Sequence, residues 1–150
     1  MSQWKRLENP GYICERLIGF SVPKDGLLLI VSSDGTHLLE LNDEIIVGAE
    51  TTGHENYDTE SGIARSGDNV FNIIGLYGGT PLLSTPFGEQ LVLNEKKLTL
   101  SVVQNGLTLF STPYQNFSGD WAAATFCPDG KFIVLGSPYD FDLRIFKRTT

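Results

Sequence analysis

Few side chains in this 150-residue chain have the chemistry for catalysis or metal binding, and their spacing argues against most of it. The histidines, His37 and His54, lack a Cys, a second His or a carboxylate at ligand spacing, so hydrogen-bonded or solvated roles are expected rather than zinc ligation. Glu50, Glu55, Asp58 and Glu60 gather acid in one stretch but lack the Asp/Asn alternation and terminal Glu of a calcium loop. No serine lies in a Gly-x-Ser-x-Gly setting with a histidine placed to activate it. The glycine-rich run GLYGGTP at 75–81 has no Lys-Ser/Thr to meet a phosphate and reads as a turn. Cys14 and Cys127 have no partner at zinc spacing, and reduced thiols are expected in a chain so poor in cysteine. No cofactor signature and no catalytic constellation emerges, so a non-catalytic protein is expected.

The elements that would position these residues are strands. Asp25-Gly26 and Asp129-Gly130 are tight-turn pairs, since glycine accepts the positive φ that primed turns need. Each separates two apolar runs rich in Leu, Ile, Val and Phe, of the length of strands buried on both faces. Strands are expected near 16–22, 27–33, 36–42, 71–77, 91–94, 98–103, 107–111, 121–127, 131–136 and 142–147, with Ile45 to Val47 as a further candidate. Asn105-Gly106 should turn the chain between two of them. No stretch sustains a 3.6-residue period, so little helix is expected. The polar segment 50–69, ETTGHENYDTESGIARSGDN, is expected to be a long mobile loop.

These strands recur at one period. Asp25 and Asp129 lie 104 residues apart, twice 52. SGDN at 66–69 matches SGDW at 118–121, again 52 apart, and GTHLLELN from Gly35 resembles GEQLVLN from Gly88. One all-β domain over 1–150 is expected, with units at about 12–61, 62–113 and 114–150 and residues 1–11 as a closing strand. The segment TFCPDGKFIVLGSPYDFDLRIFKR, 125–148, resembles a blade of a WD-repeat β-propeller, and GFSVPKDGLLLIVSSDGTHLLEL, 19–41, resembles the same. None of the three units carries the Trp-Asp pair that names that family. The resemblance implies three four-stranded blades. Propellers use four to eight, so two copies would pool blades in a dimer; a β-trefoil is the alternative closure.

Net charge is −7, from 11 Lys and Arg against 18 Asp and Glu. Without a basic cluster, nucleic acid is not an expected partner, while an acidic surface suits a basic protein. The N-terminus has no apolar signal core and no apolar run nears membrane-spanning length, so a cytoplasmic protein off the membrane is expected. The expected function is a protein-interaction module of unknown partner, with Tyr139, Phe141, Glu55 and Asp58 as its expected surface. The alternative is a small-ligand or carbohydrate-binding β domain. Trp121 is expected to pack in the core, and its non-aromatic equivalents, Asn69 and Leu17, disfavour repeated sugar pockets.

Overall fold

The computed structural model describes residues 4–8, 17–33, 35–52, 57–114, 122–137 and 142–149; for 49–52 and 142 it describes the backbone alone. Fourteen strands and no helix occupy them: β1 (Trp4–Leu7), β2 (Leu17–Ser21), β3 (Leu27–Ser32), β4 (Gly35–Leu41), β5 (Ile45–Thr52), β6 (Tyr57–Asp58), β7 (Ile63–Ser66) and β8 (Asn69–Gly75) in the first half. The second half adds β9 (Gln90–Asn94), β10 (Thr99–Gln104), β11 (Leu107–Pro113), β12 (Ala123–Phe126), β13 (Phe132–Ser137) and β14 (Asp142–Arg148). Nothing in the described residues is a helix long and apolar enough to cross a membrane.

The strands form three antiparallel sheets, none closed into a barrel: β1-β14-β13-β12, β11-β10-β9, and β5-β4-β3-β2-β8-β7-β6. The N-terminal strand covers the edge of β14 within its own chain, pairing Trp4 with Arg148 and Leu7 with Ile145. The sheets therefore hold four, three and seven strands, not three sets of four. The difference lies in β8, which pairs with β2 at Phe20↔Ile74 and not with the strands that follow it. The segment 50–69 is also not one loop. β5 runs into it, and β7 forms a hairpin with β8 through Ser66↔Asn69. Ala64 is fully buried there, and the apolar pair Ile63-Ala64 amid polar residues is too short a signal to announce a strand.

The four-stranded sheet is the middle layer. Along β13, Phe132 and Val134 point to a cluster with Phe20, Leu28 and Ile30 of the seven-stranded sheet. Ile133 and Leu135 point the other way, to Leu91, Leu100 and Val102 of the three-stranded sheet. Period-2 alternation thus places apolar residues on both faces, which is why β13 reads as an unbroken apolar run. Gly136 lets β13 approach β2: a Cβ there would lie 2.6 Å from the Phe20 ring and 2.9 Å from Leu17. A third cluster, on the far face of the seven-stranded sheet, joins Leu29 and Val31 to Ala64, Phe71 and Ile73.

Candidate functional site

Close packing of β13 on β2 brings two hairpin turns together. In the first, Asp25 and Gly26 both have positive φ, 53° and 76°, and Lys24 and Leu27 exchange two backbone hydrogen bonds. That is a two-residue turn of the primed kind. The second is wider. Gly130 N–H donates to the Cys127 carbonyl (3.0 Å), and only Gly130 has positive φ. Pro128 supplies the fixed φ for the position after Cys127. The Asp-Gly pairs, 104 residues apart in sequence, therefore face one another with different geometry.

A cleft of about 560 Å³ lies between them. Leu41 and Phe132 supply its apolar lining, and Asp25, Asn42, Asp129, Lys131, Lys147 and Arg148 supply its polar groups. A recess of about 200 Å³ shares Asp25, Gly26, Asp129 and Phe132 and adds Lys24 and Cys127. Another, of about 460 Å³, is lined by Lys5, Arg6, Glu8, Asp43 and Glu44 among others. The Asp43 carboxylate takes an ion pair from Lys147, and that contact holds its carboxyl below the usual range.

The second turn is held by its own side chains. The Cys127 thiol donates to Asp129 Oδ1 (2.7 Å) and accepts from Phe132 N–H (3.2 Å), while Lys131 N–H also reaches Asp129 Oδ1 (3.0 Å). Burial, with the neighbouring carboxylate, pushes the thiol up to about 11, so the nucleophilic thiolate is scarce at neutral pH. For Asp129, burial opposes ionisation, but the hydrogen bonds from Cys127 and Lys131 and the charge of Lys131 outweigh it and hold the carboxyl below its usual range. Neither the main cleft nor the adjoining recess is lined by a histidine, serine or threonine. What the cleft offers a ligand is charge, hydrogen bonds and an apolar floor.

At one wall of the cleft, Arg148 joins β1, the segment 85–89 and the second turn. Its guanidinium forms a two-pronged pair with Glu89, Nη1 to Oε2 at 3.1 Å and Nη2 to Oε1. Its Nε donates to the Gly130 carbonyl (3.0 Å), and the plane lies 4.5 Å from the Trp4 ring centre and 5.5 Å from that of Phe87. Thr85 Oγ1 donates to Glu89 Oε1 (3.1 Å). Sequence reading missed this node, because Glu89 and Arg148 are 59 residues apart and no local pattern links them. It missed the cleft too, because the 104-residue offset marks the two turns as alike but does not say that they meet.

Of the four residues expected at an interaction surface, Asp58 alone lies among the described residues. Tyr139, Phe141 and Glu55 lie outside the described residues, as do Cys14, His54 and Trp121. Asp58 is exposed, and its Oδ1 accepts from the N–H groups of Glu60 (3.0 Å) and Ser61 (3.5 Å). With the Ser61 hydroxyl as the largest contribution, these bonds hold its carboxyl below the usual range. It caps the β6–β7 turn. His37 sits in β4 with Nε2 3.5 Å from the Ser32 hydroxyl. Among the described residues, no three His, Cys, Asp or Glu side chains converge on a point that would hold a metal. Comparison with protein-family models, curated proteins and solved structures finds no match.

Proposed function

We propose that this protein is a non-catalytic interaction module built of blade-like units, and that the cleft between its two Asp-Gly turns receives a segment of a partner protein. One observation carries the reading. Lys5, Arg6, Lys24, Lys131, Lys147 and Arg148, six of the chain's 11 basic residues, line the cleft and the two recesses. They alternate there with Asp25, Asp43, Glu44 and Asp129. Interleaved charge over an apolar floor suits a polypeptide carrying both signs. Nucleic acid would need cations free of such opposition. The acidic remainder of the surface would steer a partner with an excess of basic residues. The blade reading draws support from β12, β13 and β14 running as a meander that the N-terminal strand completes.

The test is affinity enrichment from lysate of the producing cell, comparing the wild-type chain with Asp25→Asn/Lys131→Glu. Asparagine tolerates the left-handed conformation at 25, and both side chains are exposed, so the fold should persist. A protein recovered with the wild type should fall about tenfold with the variant, the effect of ~1.4 kcal/mol at the contact. Equal recovery by both baits would refute the assignment. The cleft volume is also within the range of small-molecule sites. A thermal shift with a metabolite, abolished by the same variant, would favour that second reading.

A further inference from the structure

Each of the three cations that line the cleft is met by a carboxylate of this chain. Lys147 pairs with Asp43 and Arg148 with Glu89. Lys131 Nζ lies 4.0 Å from Asp129 Oδ2. Lys24, which lines the adjoining recess, has its Nζ 3.5 Å from the Val70 carbonyl. One charged side chain of the cleft is left over. Among the described residues, no hydrogen bond or ion pair takes the Asp25 carboxylate. With the carboxylates that answer its cations included, four negative charges stand at the cleft against three positive.

Asp25 and Asp129 line both the cleft and the recess, so they stand where the two cavities join, beside Phe132. They arrive there from turns 104 residues apart, through the stacking of sheets and not through a local acidic run. The backbone beneath both is fixed. Two hydrogen bonds between Lys24 and Leu27, 2.8 and 2.9 Å, close the turn that carries Asp25. Asp129 Oδ1 is held by the Cys127 thiol and the Lys131 N–H, while its Oδ2 has the Lys131 ammonium beyond hydrogen-bond reach. A cation arriving here orders little of the chain, which keeps the entropic cost of its binding low. An anion would have to open one of the existing pairs, and Arg148 is only 14% exposed.

We infer that this junction is a subsite for one cationic side chain, a lysine or arginine in a basic segment of the partner protein, and that Asp25 selects it. This rests on the cleft being a site for a polypeptide, and adds which sign of charge enters and where it lodges. The apolar lining from Leu41 and Phe132 suits the methylene stem of such a side chain. The net charge of −7 draws a basic segment from a distance, and the unanswered carboxylate fixes its register.

A titration followed by amide NMR tests this, with capped oligolysine as the probe. The amides of Gly26 and Gly130, the glycines of the two turns, should shift as the peptide is added. Asp25→Asn should weaken that binding about threefold, the scale of one exposed ion pair. Asp68→Asn removes the same charge from the β7–β8 turn, away from the three cavities, and should change the affinity far less. Raising the salt should weaken the wild-type interaction. Equal affinity of wild type and Asp25→Asn, or shifts that spare both turns, would overturn the inference, since the attraction would then be the diffuse field of the whole chain. Oligoglutamate moving the two glycine amides instead would overturn it too, while leaving the cleft a site for polypeptide. The enrichment from lysate separates the two ideas: a partner lost with the cleft variant, without any response to oligolysine at the turns, sinks the cation subsite alone.

Discussion

Arg148 and Glu89 are both largely removed from water, their side chains 14% and 4% exposed. Stripping water from two charges costs several kcal/mol per ion unless their remaining hydrogen bonds are met. Here they are: both carboxylate oxygens take a guanidinium N–H, Thr85 adds a third donor, and Nε finds Gly130. Removing one partner is therefore worse than removing both. Arg148→Ala should destabilise the fold by about 3–5 kcal/mol, because it leaves a buried carboxylate alone. Arg148→Lys should recover little of that, since an ammonium can neither form the two-pronged contact nor stack flat on Trp4. Arg148→Met/Glu89→Leu should cost less than the two single changes summed. Urea denaturation of the four variants measures all of this. Additivity would mean that the pair is not coupled and that the node does not hold the turn at 85–89 to the C-terminal strand.

Among the elements, β1 is the shortest with a large task. Its four residues place Trp4 and Leu7, each 4% exposed, on opposite faces of the middle sheet, in the two clusters that flank it. It also covers the open edge of β14 and provides the ring above Arg148. Deleting residues 1–8 should unfold the chain or drive it to aggregate through β14, read as loss of the cooperative thermal transition. A truncated chain that keeps its melting temperature would show that β14 tolerates a bare edge. That a strand around Trp4 pairs with the one at 142–147 was legible in the sequence, because it was the strand-like stretch not assigned to any other partner. Most strand positions outside 50–69 were legible as well, since runs such as FIVL at 132–135 and turn pairs such as Asn105-Gly106, with φ of 53° and 79°, are local signals. Strand partners were not. β8 is as apolar as an inner strand of its own unit would be, and nothing in its composition says that Ile74 pairs with Phe20. The candidate site was the least legible part, because its walls come from residues near 25, 41, 130 and 147 that meet only after the sheets stack.

For the molecule as a whole, the middle layer is assembled from the two ends of the chain. Trp4 pairs with Arg148, and β12 to β14 complete the sheet only when the last third of the sequence has arrived. Contacts of such long range must meet a large loop-closure cost before burial rewards them. The reward is concentrated in β13, all six of whose residues are buried between two clusters. At the other extreme, the β6–β7 hairpin ends the seven-stranded sheet, and two of its charged residues, Asp58 and Arg65, are exposed. Local opening should therefore be graded. Opening β13 means parting both neighbouring layers, so its amides should exchange only through global unfolding. Amides of β6 and β7 should exchange through local fraying, at least about a hundredfold faster, a gap of ~2.7 kcal/mol. Native-state hydrogen exchange across a denaturant series reads this directly. The β13 amides should follow the global unfolding line at every concentration, and those of β6 and β7 should show little denaturant dependence. If β13 exchanges by a denaturant-independent route, the middle layer is not where the stability of this fold resides, and the stacking of the other two sheets around it is wrong.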